Sequence, residues 1–253
     1  MSMGPSPADH LAPWGLMGTT GELWTCRLGT IGWDEALAMQ EHVRDRRQRD
    51  EIADTLLLLE HPPTVTLGRR TEPGDLIAGR EHLIALGIDV FDADRGGRIT
   101  CHEPGQLVGY PIMRTDDVTE FVRRIERAMI SALLESSVSA HTRDGLTGVW
   151  CEDRKIGSIG IHVQRSVTTH GFSINSDNDL STFGNVVPCG LPDVQMTSIA
   201  LEGGDAGVAC LRHRIGDAFA AEHGLRQRLV SPARLGIEAP IAAAVPCAHK
   251  VAA

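Results

Sequence analysis

Cys189 has the sequence context of a nucleophile, because Pro188 and Gly190 place it in a turn. In a turn the sulfur can be exposed, and neighbouring N–H groups are free to stabilise an oxyanion. The rival is Cys101, which stands beside His102 and could form a Cys–His pair. Adjacent residues of a strand point to opposite faces, however, and this counts against that pair. Cys189 therefore ranks first among the six cysteines as a candidate nucleophile for covalent catalysis.

Lys155 is the second residue that could carry chemistry. Of the 24 basic residues only Lys155 and Lys250 are lysines, and Lys250 lies near the C-terminus. In an ideal strand Lys155 shares its face with apolar residues and with Gly157, which would leave space beside the amine. A desolvated lysine has a lowered pKa and can act as a base, whereas arginine keeps its proton. The pattern predicts an amine base, provided that no β-bulge breaks the alternation of faces.

A glycine-rich segment precedes these two residues. Arg95-Gly96-Gly97 is followed by Thr100 and His102 and then by a second turn at Pro104-Gly105. Glycines permit a close approach of the backbone to a ligand. The segment lacks the G-x-G-x-x-G order and the Walker lysine, so it does not indicate a phosphate cradle.

The elements that must position these residues come in groups. Strands are predicted over residues 22–28, 55–60, 65–67, 88–91, 99–100, 107–112, 148–151, 155–163 and 168–175. Helices are predicted over 33–50, from 116 or 117 to about 133, and over 208–219. Groups of strands separated by helices favour an α+β fold, with a mixed β-sheet and flanking helices, over a doubly wound parallel sheet.

The composition is that of an ordinary globular domain. We expect a disordered N-terminal tail over 1–21, a single catalytic domain over 22–230 and an irregular tail over 231–253. No apolar run approaches the ~18 residues of a membrane span, and the N-terminus lacks the pattern of a secretory signal. We expect a cytoplasmic protein with reduced thiols and no membrane contact. The net charge of −9, without clusters of basic and aromatic residues, counts against nucleic-acid binding.

The order of motifs over roughly residues 24 to 200 resembles that of the lipoyl(octanoyl) transferases. The matching segments are Leu58-Leu59-Glu60-His61-Pro62, Thr66-Leu67-Gly68-Arg69, Asp94-Arg95-Gly96-Gly97, Pro104-Gly105-Gln106-Leu107-Val108-Gly109-Tyr110-Pro111, Lys155-Ile156-Gly157-Ser158-Ile159-Gly160-Ile161, His170-Gly171-Phe172-Ser173-Ile174-Asn175, Pro188-Cys189-Gly190 and Thr197-Ser198. The resemblance implies a fold like that of the biotin and lipoate protein ligases.

The resemblance also implies an activity. Such an enzyme transfers an octanoyl group from acyl carrier protein to a lysine of a lipoyl domain, as the first step of endogenous protein lipoylation. The acceptors would be the lipoyl domains of 2-oxoacid dehydrogenases and the glycine cleavage H protein. Cys189 would carry the acyl thioester, and Lys155 would lower the pKa of its thiol. No metal, nucleotide or other cofactor is expected, because a thioester donor is already activated.

An acyl pocket made of three segments is a further implication of the resemblance. Its residues would be Arg95, Gly96, Gly97, Arg98, Ile99, Thr100, Cys101, His102, Ser158, Ile159, Gly160, Gly171, Phe172 and Ser173. Cys101 stands where the family usually has an aromatic residue, and Glu103 stands where it usually has glycine. Glycine suggests a positive φ or a close backbone approach. We therefore expect Glu103 to turn towards solvent or Arg98, and Glu103→Gly to be neutral or stabilising.

Two other functions remain open. An ATP-dependent lipoate or biotin protein ligase on the same fold would activate a free acid and would need no cysteine nucleophile. The pairing of Cys189 with Lys155 counts against it. A specialised or non-catalytic paralogue that binds carrier protein is suggested by Glu103 and Cys101, although the retained cysteine and lysine count against loss of activity.

Overall fold

The computed structural model describes residues 21–190 and 194–242, apart from the side chain of Cys189. The strands are β1 (Glu22–Thr30), β2 (Asp54–Glu60), β3 (Thr64–Leu67), β4 (Asp89–Asp92), β5 (Ile99–His102), β6 (Gln106–Ile112), β7 (His141–Arg143), β8 (Leu146–Cys151), β9 (Arg154–Gln164), β10 (Val167–Asn175) and β11 (Arg226–Leu229). The α-helices are α1 (Trp33–Gln48), α2 (Arg80–Ala85), α3 (Val118–Glu135) and α4 (Val208–Glu222). Short 3-10 helices span Ser181–Asn185, Pro188–Gly190 and Pro232–Leu235.

The strands form two sheets. The large sheet has the order β11-β1-β2-β6-β10-β9-β8-β7, in which β1 is parallel to both of its neighbours and the other pairs are antiparallel. The small sheet has the order β4-β3-β5, with β3 parallel to β4 and antiparallel to β5. The predicted α+β fold with a mixed sheet and flanking helices is confirmed.

Strand β2 is buried on both faces of the large sheet. Leu56 and Leu58 pack in the core that α3 and α4 cover, and Leu57 and Leu59 pack in the core beneath α1. This double burial explains the uninterrupted leucine run, because only a strand covered on both faces needs apolar residues at every position. Helix α3 begins where the sequence predicts, after Asp117, whose side chain accepts a hydrogen bond from the backbone N–H of Glu120.

Three regular elements were not predicted from the sequence. Helix α2 and strands β7 and β11 are short, and they carry no periodic apolar pattern. Residues 231–242, predicted to be irregular, include a 3-10 helix with the fully buried Leu235 and a bridge between Leu28 and Ile241. No helix within the described residues is long and apolar enough to cross a membrane.

Arginine supplies the surface ion pairs of the described chain. Arg47, for example, pairs with Asp50 and Asp54, and Arg127 pairs with Glu120 and Glu222. Lys155 is the only lysine within residues 21–190 and 194–242.

The cysteines do not all match the expectation of reduced thiols. That expectation is wrong for Cys210, which is disulfide-bonded. Cys26, Cys101 and Cys151 are buried thiols. Burial raises the pKa of Cys26 to about 12 and that of Cys151 to about 11, so neither is suited to act as a thiolate.

Candidate active site

A cavity of about 570 Å³ brings most of the predicted pocket residues together. Every residue of the predicted acyl pocket except Cys101 lines it, and Lys155 lines it as well. Cys101 instead lies in the core of the small sheet, against Val65 and Leu83. The prediction that Cys101 lines the pocket is therefore wrong, because its side chain packs in the core of the small sheet, whereas Thr100 and His102 line the cavity.

The segment 95–98 forms one wall of this cavity and is held in place by Arg95. The Arg95 guanidinium donates hydrogen bonds to the backbone oxygens of Gly96 and Arg98, at 2.9–3.1 Å. It also donates to the backbone and hydroxyl oxygens of Thr66, at 2.9 and 2.6 Å. The Gly96 oxygen lies so close to Gly160 that a Cβ there would be 2.7 Å from it. Arg95 therefore joins the small sheet to the glycine-rich wall, and glycine at 160 permits the close approach.

His102 places a neutral imidazole in the cavity wall. Burial lowers the pKa of His102 well below its usual range. Its Nδ1 lies 2.8 Å from the side-chain oxygen of Gln106, so the Nδ1–H donates and Nε2 carries no proton. The side-chain amide of Gln106 also donates to Asn175 at 2.9 Å, and this bond fixes the amide orientation. The ring can accept a hydrogen bond but is not a cation.

Lys155 is 3% exposed, and its amine has two defined neighbours. Nζ donates to the backbone oxygen of Thr147 at 3.0 Å and lies 5.2 Å from the ring centroid of Trp150. Space for the lysine is left by Gly148, where a Cβ would lie 2.7 Å from Lys155 Cε. The expectation that Gly157 leaves this space is wrong, because a Cβ there would meet the Met129 side chain at 2.2 Å.

A β-bulge in β9 directly after Lys155 shifts the alternation of side-chain faces between Lys155 and the rest of the strand. Lys155 pairs with Trp150, and Gly157 pairs with Val149. Trp150 and Val149 are adjacent on β8, so Ile156 is an extra residue on β9 without a pairing partner of its own. The simple alternation over residues 155–163 is therefore wrong. Beyond the bulge, both Ser158 and Ile159 line the cavity.

The backbone of Cys189 lies in the 3-10 helix Pro188–Gly190, which packs against β5. Gly190 has a φ of 71°, and a Cβ there would lie 2.4 Å from the Arg98 side chain, which lines the cavity. Arg98 is in turn held by two hydrogen bonds to the buried Asp75 carboxylate, at 2.6 and 2.7 Å. The helix backbone is thus fixed beside the cavity, while the Cys189 side chain lies outside the described residues.

The chain that follows Cys189 returns to Lys155. The backbone N–H of Lys155 donates to the oxygen of Gln195 at 2.8 Å, and the N–H of Thr197 donates to the Lys155 oxygen at 2.9 Å. Asn175, at the end of β10, donates from its side chain to the Thr197 oxygen at 2.9 Å. The strand that carries the lysine is therefore joined by backbone hydrogen bonds to residues 195–197, which follow Cys189 in the sequence.

Glu103 is buried, contrary to the sequence expectation. It is 5% exposed, and its Oε1 accepts hydrogen bonds from the Asn178 side chain and the Leu180 backbone N–H, both at 2.9 Å. Glu103 is not among the residues with positive φ. The prediction that it turns towards solvent or Arg98 is wrong, because amide donors of the segment after β10 satisfy the carboxylate inside the protein.

We expect Glu103→Gly to be destabilising, opposite to the sequence expectation. Removing the carboxylate leaves two buried N–H donors without their acceptor, at a cost on the order of 2–4 kcal/mol. Urea unfolding of the purified variant measures this loss, with Glu72→Ala as the control, since Glu72 makes an ion pair with Arg98 but is 68% exposed. An unfolding free energy of Glu103→Gly equal to that of the unsubstituted protein would contradict this prediction.

No group of three or more His, Cys, Asp or Glu side chains within the described residues is arranged to hold a metal ion.

The family model of the lipoyl protein ligase A/B catalytic domain matches residues 33–220, which include the cavity and the strand β9 with Lys155 and its bulge. The chain is thus a member of the lipoyl protein ligase A/B class.

Curated relatives define the branch of this class. Octanoyltransferases of Dictyoglomus thermophilum and Salinispora tropica are each 44% identical, over 68% and 73% of this chain and 74% and 87% of their own length. That of Chloroflexus aurantiacus is 42% identical over 77% of this chain and 93% of its own length. The chain belongs to the octanoyltransferase family, and the resemblance found in the sequence motifs is confirmed.

Solved structures share the fold at low identity. The lipoate protein ligase of Thermoplasma acidophilum, described with its E2 lipoyl domain, has a TM-score of 0.66 at 16% identity, covering 83% of this chain and 86% of its own. A lipoate-protein ligase A bound with ATP also gives 0.66, at 13% identity, over 83% and 88%. The predicted lipoate-ligase-like fold is confirmed.

Proposed function

We propose that this protein is an octanoyltransferase that acts through a thioester on Cys189, with acyl carrier protein as donor. Octanoyl transfer to a lipoyl domain is the activity that the curated relatives support. The acceptors are the lipoyl domains of 2-oxoacid dehydrogenases and the glycine cleavage H protein. Residues 22–230, together with the packed segment 231–242, form the catalytic domain. The observation that carries the proposal is a cavity that joins the pocket segments with Lys155 and whose wall residue Arg98 packs against Gly190, the neighbour of Cys189.

The cavity suits a medium-length acyl chain. Its volume of about 570 Å³ lies in the range of small-molecule sites. Val108, Ile159 and Phe172 supply apolar wall, whereas Lys155 and His102 supply polar groups. An octanoyl chain would lie against the apolar wall and leave its carbonyl near the amine.

In the first half of the reaction, the Cys189 thiolate attacks the carbonyl carbon of the octanoyl thioester on the carrier protein. A new C–S bond forms to Cys189, and the C–S bond to the carrier thiol breaks. Lys155 in its neutral form takes the Cys189 proton before the attack, and the resulting ammonium protonates the departing carrier thiolate. The proton of the Cys189 thiol therefore ends on the carrier thiol, and Lys155 is again neutral.

In the second half, the amine of the lipoyl-domain lysine attacks the acyl carbon. A C–N bond forms, the C–S bond to Cys189 breaks, and the amine proton passes to Lys155 or to the released thiolate. The product is an octanoyl amide and the enzyme is regenerated. Because the donor is a thioester, no nucleotide is consumed.

Intact-mass analysis tests the proposal directly. After incubation with octanoyl carrier protein, we expect the enzyme to gain one octanoyl group that hydroxylamine removes. Addition of a lipoyl domain, without ATP, should then move the group to the domain lysine. The parallel reaction contains free octanoate, ATP and magnesium. If octanoylation of the domain occurs only in that reaction, the protein is an adenylating ligase and the proposal is wrong.

A further inference from the structure

The amine of Lys155 and the carboxylate of Glu126 contact opposite ends of one peptide group. Lys155 Nζ donates to the oxygen of Thr147 at 3.0 Å. The N–H of the same peptide, which belongs to Gly148, donates to Glu126 Oε1 at 3.0 Å. The Thr147–Gly148 peptide therefore connects the amine on β9 with a carboxylate on α3.

The position of this peptide depends on glycine. Gly148 has a φ of 122°, a conformation that other residues rarely adopt. A Cβ at Gly148 would lie 2.6 Å from the Gly157 oxygen and 2.7 Å from Lys155 Cε. The peptide is therefore packed directly against the lysine side chain, and a rotation of the peptide would move the acceptor away from Nζ.

Glu126 is a buried acid that the reaction above does not use. Its side chain has no exposed surface, although α3 carries several other charged residues at the surface. Arg123, one helical turn earlier, donates to Oε2 at 2.6 Å, so the second oxygen of the carboxylate also has a partner. A fully buried carboxylate is costly unless it is paired and hydrogen-bonded, and here one of its bonds is given to the peptide that holds the lysine.

We propose that Glu126 is a positioning residue for Lys155, acting through the Thr147–Gly148 peptide. This rests on the proposed function, in which Lys155 moves the protons. A carboxylate that accepts from the N–H end polarises the peptide, and its carbonyl becomes a stronger acceptor for the N–H groups of Lys155. The same bond keeps the peptide from rotating, so that Nζ stays over the Trp150 ring and at the cavity wall.

The scarcity of lysine gives this proposal a direct spectroscopic test. In a Lys250→Arg background, protein labelled with 13C-lysine has one ε-methylene signal, from Lys155. The ring of Trp150 should displace this signal from the position of free lysine. In Glu126→Leu, which keeps an apolar volume but has no acceptor, we expect the signal to move towards free lysine. In Glu126→Gln, whose amide oxygen can still accept from Gly148, it should stay near its original position.

Kinetics of octanoyl transfer supply the second readout. Glu126→Leu should lower kcat about 10- to 100-fold with the KM values within about twofold, since misplacement of a catalytic group slows chemistry rather than binding. Glu126→Gln should recover most of kcat. The matched control is Glu120→Ala on the same helix, which removes a half-exposed ion-pair carboxylate and should change neither the signal nor kcat.

The outcomes separate this inference from the proposed function. A folded Glu126→Leu variant with an unmoved Lys155 signal would overturn the inference. If Glu126→Leu does not fold, Glu126→Gln decides: a signal displaced to the free-lysine position despite the retained acceptor overturns the inference as well. If the signal responds as expected but the unsubstituted enzyme transfers no octanoyl group, the placement of Lys155 by Glu126 stands and the proposed function fails.

Discussion

An enzyme with Cys189→Ser should gain no hydroxylamine-labile octanoyl group, and its octanoyl transfer should fall by ~10³-fold or more. A hydroxyl is a far weaker nucleophile than a thiolate near neutral pH, and removal of the nucleophile eliminates the covalent route. Intact mass after incubation with octanoyl carrier protein and the rate of lipoyl-domain modification measure the two effects. Circular dichroism establishes that the variant is folded.

Cys101→Ala is the matched control for this substitution. Cys101 is fully buried in the core of the small sheet and does not line the cavity, so its replacement should affect stability more than transfer. The assignment of the nucleophile is refuted if the octanoyl label survives in Cys189→Ser and disappears in Cys101→Ala.

Lys155→Arg should lose about 10²- to 10⁴-fold in octanoyl transfer at neutral pH, even though the positive charge is retained. Arginine keeps its proton under all conditions of the assay and cannot take one from the thiol or the acceptor amine. The guanidinium is also larger than the ammonium that fits between Gly148 and the Trp150 ring. Steady-state kinetics with both macromolecular substrates measure the loss.

The pH dependence of the same variant separates the role of a base from that of a charge. A cysteine thiol ordinarily ionises near pH ~8.5, so a higher pH should restore part of the self-acylation of Lys155→Arg by forming the thiolate directly. The unsubstituted enzyme should gain less from the same change. Turnover of Lys155→Arg equal to that of the unsubstituted enzyme at neutral pH would exclude proton transfer by Lys155.

Local patterns predicted the regular elements well where burial dictates every position. The leucine run of β2 reflects burial between two cores, and the helical spacing of α3 reflects packing of one helix face on one of them. Helix α2 and strand β11 have no such pattern, since their side chains are largely exposed and tertiary pairing determines their conformation.

The candidate site was predictable only in part, for a related reason. Motif order located the cavity, but the partners of its polar groups are distant in sequence. Glu103 is satisfied by amides more than 70 residues further along the chain, at Asn178 and Leu180. The bulge at Ile156 and the peptide that joins Lys155 to Glu126 likewise depend on contacts between different elements. The alternation of apolar and polar residues along one strand cannot predict such contacts.

The arginine-rich surface has a consequence for an enzyme that holds an activated acyl group. An acyl thioester can be captured by any accessible neutral amine, and a lysine on the enzyme itself would compete with the lysine of the lipoyl domain. Guanidinium groups remain protonated and do not attack thioesters. Since Lys155 is the only lysine in the described part of the chain and is 3% exposed, this surface offers almost no amine for self-modification. In the proposed reaction, arginine would thus supply surface ion pairs without competing with the acceptor lysine for the octanoyl group.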